Sequence, residues 1–206
     1  RLAVFAEPLA AALRVTQQLH VTATMRLAVL GDGKMGLLTA MALRHVNPDL
    51  LLIGRHRDKL GLFERLGGRT LLTEPGEDAS LPAEAADGFD LVVEATGNPA
   101  GIEQASRMCR PLGTVVLKTT AQRSEPFPFS RIAVREQRIV GSRCGDLDLA
   151  LHYLRFGLVD PTPLIEAVLP WPEIRRALDR SASPGSLKIL LDHGDPTDGS
   201  TTGEGP

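Results

Sequence analysis

Cysteine is nearly absent from this chain, with only Cys109 and Cys144 among 206 residues. Two thiols cannot build a disulfide framework or a four-thiolate zinc site, so a reducing cytoplasm is the expected compartment. An excess of one charge is missing too: the formal net charge is −2, which argues against nucleic acid or another polyanion as partner. No apolar run reaches the ~18 residues that a membrane span needs, and no membrane partner is expected. Residues 1–12 lack the apolar core and small-residue cleavage pattern of a signal peptide. Since Arg1 is not an initiator methionine, the chain reads as the continuation of a polypeptide begun upstream. No His-Glu dipeptide occurs, and His20, His45, His56, His152 and His193 show no metal-ligand spacing, which leaves them as surface or satisfied polar residues. What remains is a globular composition, 43% hydrophobic and 23% charged, at a length that allows one domain with trimmings but not two full ones.

The most informative stretch is residues 26–36, RLAVLGDGKMG. Residues 27–30 are a continuous apolar run, as in a parallel strand buried on both faces, and residues 34–46 have the length and composition of a helix. Between them lies G-x-G-x-x-G, formed by Gly31, Gly33 and Gly36 with Asp32, Lys34 and Met35 in the intervening places. Gly31 suits the tight turn, Gly33 lets the backbone approach a pyrophosphate, and Gly36 lets helix and strand pack closely, with the helix N-terminus facing the negative charge. A bare pattern of this kind is weak in a chain with 20 glycines, and the alternative is a turn with no ligand. Strand before and helix after supply the context of a dinucleotide site.

Strands and helices then alternate as a doubly wound α/β sheet of the Rossmann type requires, six parallel strands with helices on both faces. Asn47-Pro48 turns the chain into a second strand at 49–54. A helix from about Asp58 follows, with Leu60, Phe63 and Leu66 on one side and Gly67-Gly68 as its stop. Further strands are expected at 70–72, 90–94, 114–119 and 137–142, with a brief helix near 82–86. Asn98 and Pro99 should cap and open a helix reaching Cys109, and another helix should span about 146–156. The tail from His193 has no apolar anchor and is expected to be disordered.

Ligands of open α/β sheets lie outside the carboxyl ends of the strands. That rule selects Thr96 and Gly97 after the fourth strand, Thr119 and Thr120 after the fifth, and Ser142 to Gly145 after the sixth. The choice of nicotinamide cofactor falls at the end of the second strand, where an acid would accept the adenine ribose hydroxyls of NAD. This chain instead reads Ile53-Gly54-Arg55-His56-Arg57. Arg55 can fork onto a ribose 2′-phosphate, with His56 or Lys59 as helpers, so NADP is expected over NAD. The other reading of Arg55 is a solvated loop cation.

Several blocks, in order across residues 3–192, carry a more specific resemblance: FAEPLAAAL at 5–13, VLGDGKMG at 29–36, VEATG at 93–97, GSRCG at 141–145 and PGSLK at 184–188. Together they resemble the medium-chain, zinc-dependent alcohol dehydrogenases. The resemblance implies a linking helix over 1–22, the cofactor domain over 23–192, and a tail over 193–206. It further implies that the turn after the fourth strand lies along the cofactor ribose and that the ends of strands five and six line the nicotinamide. Lys188 would reach the pyrophosphate, with a surface lysine at a strand start as the ordinary alternative. For a whole enzyme it implies reversible hydride transfer between an alcohol or polyol and NADP, with zinc as Lewis acid, and a homodimer joined through 137–142.

The departure from that family is equally clear. Nothing before Glu7 supplies the family's zinc-binding cysteine and His-Glu pair. Glu7 matches a glutamate that ligates the zinc or approaches it through water in the family; its other reading is a first-turn carboxylate complementing a helix dipole. No catalytic residue is assigned, and the chain by itself is expected to bind cofactor without turnover. Cys144 is read as a packing residue. Two other classes share the glycine turn: a non-catalytic nucleotide-sensing module, which has no use for the E-P-L-A helix, and a methyltransferase, whose ribose-holding acids are missing here.

Overall fold

The computed structural model describes residues 2–74, 86–120, 127–183 and 185–194, which form two compact units divided after Pro161. The first unit opens with a 3-10 turn, Leu2–Phe5, running into α1 (Ala6–Gln18). Six strands follow: β1 (Leu27–Leu30), β2 (Leu51–Gly54), β3 (Arg69–Leu72), β4 (Phe89–Glu94), β5 (Cys109–Leu117) and β6 (Arg138–Gly141). They are all parallel and stand in the order β3-β2-β1-β4-β5-β6. The helices between them are α2 (Lys34–Leu43), α3 (Arg57–Arg65), α4 (Gly101–Met108) and α5 (Phe129–Arg135), with α6 (Leu147–Arg155) after β6. This is the Rossmann-type doubly wound α/β sheet expected from the alternation of elements.

Every residue of β1 and β2 is buried, which is why these strands show no polar alternation. Ala28, Leu30, Leu51, Ile53, Val92 and Val115 form one core with Ala105 and Met108 of α4. Each fully buried Leu, Val or Ile contributes roughly 1.5–3 kcal/mol relative to exposure, so the central strands are the main apolar reserve of this unit. α1 packs against both α2 and α6, and Leu9, Leu13 and Val15 are wholly buried. Its sequence segment is therefore part of the first unit's core.

Asn47 shows how a turn residue can also be a staple. Its buried side chain donates to the carbonyls of Thr22 at 2.8 Å and Met25 at 2.7 Å, tying the entry to β1 to the turn before β2. Gln137 does the same further along. It accepts from Ser106 Oγ at 2.7 Å and donates to the carbonyls of Ser106 at 2.9 Å and Cys109 at 2.7 Å, locking the α4–β5 junction to the start of β6.

Several boundaries differ from expectation. The helix after β4 begins at Gly101, not at Pro99; Asn98 accepts from the Ala100 N–H at 3.0 Å in a turn that precedes it. Cys109 is already paired with Phe89 in β5, which runs through a register shift before the apolar run begins. α5 was not foreseen because its fold leaves no residue buried, and Phe129 and Val134 stay exposed. The short helix expected near 82–86 falls on residues outside those described, except Ala86, and the tail expectation does so from residue 195.

The second unit, 162–206, pairs β7 (Ile165–Pro170) with β8 (Lys188–Asp192) in parallel, with α7 (Ile174–Ala182) between them. Glu166 accepts from Arg180 Nε and from the Leu187 N–H, both at 2.7 Å, fixing helix and strand around β7. β7 was missed because its residues alternate only briefly and end in proline.

Substituting Gln137 by Leu keeps the volume but strands Ser106 Oγ in the interior, while the Cys109 carbonyl keeps its bond from the Arg135 guanidinium at 2.9 Å. At about 1–3 kcal/mol for one unsatisfied buried group, the loss of stability should reach roughly that size in urea unfolding. A loss below about 0.5 kcal/mol would show that the junction holds without this side chain.

Candidate cofactor site

Gly31 is the hinge of the turn between β1 and α2. Its φ of +114° lies where side chains are rarely tolerated, and a Cβ there would meet the Ala95 carbonyl oxygen at 2.6 Å. Gly36 has a different constraint: a Cβ would lie 1.9 Å from the Gly31 carbonyl oxygen, so only a glycine lets the first turn of α2 sit against the loop. At Gly33, the N-cap of α2, a Cβ would meet nothing within 4 Å. No side chain caps this helix, so its first N–H groups face that opening. Lys34 is exposed and Met35 half-buried beside it. An open backbone surface with unpaired donors and a positive dipole end fits a pyrophosphate.

Asp32 does not point into that opening. It is buried, and its Oδ2 accepts from the Arg55 and His56 N–H groups, both at 2.7 Å. Its Oδ1 lies 2.9 Å from His56 Nδ1. The second residue of the glycine motif thus clamps the turn between β2 and α3. Gly54 makes room for it, since a Cβ there would meet the Asp32 carboxylate at 2.4 Å. Burial by itself would raise the Asp32 carboxyl, but the His56 ring, the His56 N–H and the Arg55 N–H outweigh burial and hold it below the usual carboxylate value. Arg55 and His56 are exposed on this turn, with Lys59 buried one helical turn on.

A second buried carboxylate organises the middle of the sheet. Glu94, the last residue of β4, accepts at Oε1 from the Thr96 N–H at 2.8 Å, Thr96 Oγ at 2.6 Å and Thr119 Oγ at 2.8 Å. Thr119 Oγ in turn accepts from the Gly97 N–H at 2.9 Å. The Thr96 hydroxyl was expected to face the ribose; it is directed inward, and it also accepts from the Asn98 N–H at 3.0 Å. Gly97 has φ +72° with open space around it, and Thr120 is exposed. The loops after β4 and β5 are therefore joined through one carboxylate that sequence reading left without a role. Its signal was a lone acid closing an apolar strand.

Lys118 was also overlooked. Its Nζ donates to the Ala11 carbonyl at 2.5 Å and to Ser142 Oγ at 3.0 Å, joining α1 to the ends of β5 and β6. Burial, with Arg14 adding to it, pushes its amine down to about 8. Ser142 is buried against it, so its hydroxyl also faces inward. Arg143 and Cys144 are exposed; the packing role expected of Cys144 does not hold, whereas Cys109 is buried and its thiol is pushed up to about 11 by that burial. Lys188 opens β8 in the second unit. Glu7 is exposed in the first turn of α1. Among the described residues no group of three or more His, Cys, Asp or Glu could hold a metal ion. Glu7 as a single carboxylate does not fit a zinc ion.

The Asp32 clamp has a definite pH signature. A carboxyl held down in the folded state stabilises it above the ordinary value of about 3.9 and loses that contribution as pH falls through the lower folded value. Thermal midpoints of the wild type and Asp32→Asn should differ most near neutrality and draw together as pH falls below the ordinary carboxylate range. A gap that stays constant on acidification would contradict an ionised clamp.

A sequence profile of the zinc-binding dehydrogenases matches residues 35–156. The chain is 29% identical over 173 residues to a protein of Rhizobium meliloti strain 1021 described as a D-xylulose reductase, covering 80% of this chain and 50% of that protein. It is 24% identical to the L-idonate 5-dehydrogenase (NAD(P)(+)) of Escherichia coli K12, covering 84% of this chain and 52% of the relative. A solved chain from Sinorhizobium meliloti 1021, described as a zinc-binding dehydrogenase bound to NADP, superposes with a TM-score of 0.79 at 27% identity, covering 91% of this chain and 58% of that one. The chain thus spans about half the length of the relatives it matches. The profile matches more than half of it, and the chain belongs to the zinc-binding dehydrogenase family.

Proposed function

We propose that this chain is the NADP-binding part of a dehydrogenase that interconverts an alcohol or polyol with its carbonyl compound. The observation that carries the reading is the opening at Gly33, an uncapped helix N-terminus held against β1 by the close approach of Gly36 to Gly31. Lys34 and Met35 border that opening, and Gly97 flanks it from the next strand with room for a ribose. Thr119, Thr120 and Ser142 stand at the strand ends assigned to the nicotinamide side, where Glu94 and Lys118 hold the backbone in place.

NADP is favoured over NAD by the corner after β2. The carboxylate described there, Asp32, is buried beneath the turn with its oxygens turned to Arg55 and His56, so it is not presented to a ribose diol. Arg55 remains exposed there to take a 2′-phosphate in a charge-assisted pair. The relatives named a D-xylulose reductase and an L-idonate 5-dehydrogenase support a polyol or sugar-acid substrate.

In the oxidising direction the carbinol carbon loses a hydride, the hydroxyl loses a proton, and the carbonyl product leaves with NADPH and H⁺ as co-products. When bound, the nicotinamide supplies the hydride acceptor. The residues described here bind and orient it, and the proton acceptor is assigned to the remainder of a longer polypeptide. The domain assignment is α1 as the link to that remainder, a cofactor domain over 23–192 and a tail from 193. We further place the protein in the cytoplasm, on its scarcity of cysteine, and assign homodimer formation to β6, which forms one edge of the sheet. No helix of the described residues is long and apolar enough to cross a membrane.

The test is an equilibrium titration with NADPH, NADH and S-adenosylmethionine. Saturable NADPH binding is expected, with no response to S-adenosylmethionine. Arg55→Asp should weaken NADPH about 10- to 100-fold, the scale of a lost charge-assisted bond, and change NADH less than about threefold. An unchanged NADPH-to-NADH ratio in this variant would remove Arg55 as the reader.

A further inference from the structure

Lys118 follows β5 directly, as Ser142 follows β6, so both stand at carboxyl ends of the sheet. In an open sheet of this order each half takes one mononucleotide. The turn after β2 belongs to the adenosine half, so the reacting end of a dinucleotide, and the substrate with it, falls to the half built from β4, β5 and β6. Lys118 is half-buried there. Its Nζ donates to the Ala11 carbonyl at 2.5 Å and to Ser142 Oγ at 3.0 Å, which leaves one of its three N–H donors with only the Ser142 carbonyl, 3.4 Å away. The backbone around these acceptors is fixed. A Cβ at Gly145 would lie 1.9 Å from the Ala10 carbonyl oxygen, and Gln18 Nε2 donates to the Gly141 carbonyl at 3.1 Å, so α1 is pressed against the turn after β6.

A second cation faces the same amine. Arg14 lies one turn beyond Ala11 on α1, and after burial its charge is what lowers the Lys118 amine further. Arg14 is itself half-buried, and its bond is to a neutral neighbour, Gln17 Oε1 at 3.4 Å. Among the described residues neither cation forms an ion pair with a carboxylate. The acids described at the neighbouring strand ends are engaged elsewhere: Glu94 accepts from Thr96 and Thr119, and Asp146 caps α6 through the N–H groups of Asp148 and Leu149. Two like charges held partly out of water without a counter-charge destabilise the unliganded fold, and an anion seated against them offsets both the repulsion and the lost hydration.

We propose that Lys118 and Arg14 form an anion subsite at the reacting end of the cofactor groove, and that the polyol oxidised or formed there carries a carboxylate or phosphate that they bind. This rests on the dehydrogenase function proposed above. The cofactor's own phosphates are accounted for elsewhere, the pyrophosphate at the Gly33 opening and the 2′-phosphate at the corner after β2. A neutral alditol of the same length would leave both cations uncompensated, whereas the anionic group gives the free Lys118 N–H and the Arg14 guanidinium charge-assisted bonds.

The experiment is isothermal titration calorimetry on the natural full-length protein saturated with NADPH. Xylonate and D-gluconate, the terminal phosphates of xylitol and D-glucitol, and the two neutral alditols are titrated in turn. An anionic member should bind about tenfold or more tighter than its neutral counterpart, and the tighter of the carboxylate and phosphate sets identifies the group. Lys118→Met and Arg14→Gln should each bring that preference close to one, while Lys118→Arg keeps most of it. Arg14→Gln decides the matter where Lys118→Met loosens α1, because the bond that Arg14 makes stays within that helix. Equal affinity for anionic and neutral members in the wild type, or a preference that survives both neutral variants, overturns the inference and leaves the proposed function standing. A matching loss of NADPH affinity in Arg14→Gln would put the pair on a cofactor phosphate and overturn it as well. A full-length protein that binds no NADPH removes the proposed function, and the subsite with it.

Discussion

The first unit is organised by one steric fact, the lack of a side chain at residue 36. A single methyl group there would lie 1.9 Å from the Gly31 carbonyl oxygen, well inside any tolerable contact. Because it is absent, α2 starts directly on the turn, its first N–H groups face the opening at Gly33, and its buried face, Leu37, Leu38, Ala40 and Met41, meets the core. Moving the helix outward by the width of a methyl would both widen the anion cradle and loosen that packing. Binding geometry and core packing are thus set by the same contact.

Around this contact the loops at the strand ends are held by buried acids. Asp32 gathers the turn after β2, and Glu94 gathers the turns after β4 and β5. A buried carboxylate is costly unless its lone pairs are filled, and both accept from several donors. Their donors are backbone N–H groups, threonine hydroxyls and one imidazole, so the loops that would surround a cofactor are fixed from beneath. What then faces outward is mainly backbone and the exposed cations of the β2–α3 turn.

Much of this was legible in the sequence. The apolar runs at 27–30 and 91–93 and the glycine spacing specify parallel strands and the turn, because burial on both faces leaves no polar alternation to misread. The lack of an acid directly after Gly54 was equally plain, and Arg55 stands exposed there. Legibility failed where the determining partner is far away in sequence. Asp32 reads as a loop residue until its bonds to positions 55 and 56 are known, and Glu94, Lys118 and Gln137 look like ordinary polar residues at strand ends. The Ser142 hydroxyl is claimed by Lys118, 24 positions away, whereas the Thr96 hydroxyl turns to Glu94, only two residues before it. Element ends were lost at Pro99 and Cys109, where local capping signals competed with strand pairing to Phe89.

The Asn47 staple bears on the order in which such a chain can assemble. Its amide spans only 25 and 22 positions to reach Thr22 and Met25, whereas Lys118 reaches back 107 positions to Ala11. Closing a loop grows dearer with its length, though slowly, and nothing further along the chain has to be in place for the shorter closure. The segment from the β1 entry to the β2 entry can therefore become native-like on its own early in folding or synthesis. The bond from Lys118 to the Ala11 carbonyl can form only once β5 is in place, so α1, which also packs on α2, gains this tie later in the chain's sequence than the Asn47 staple.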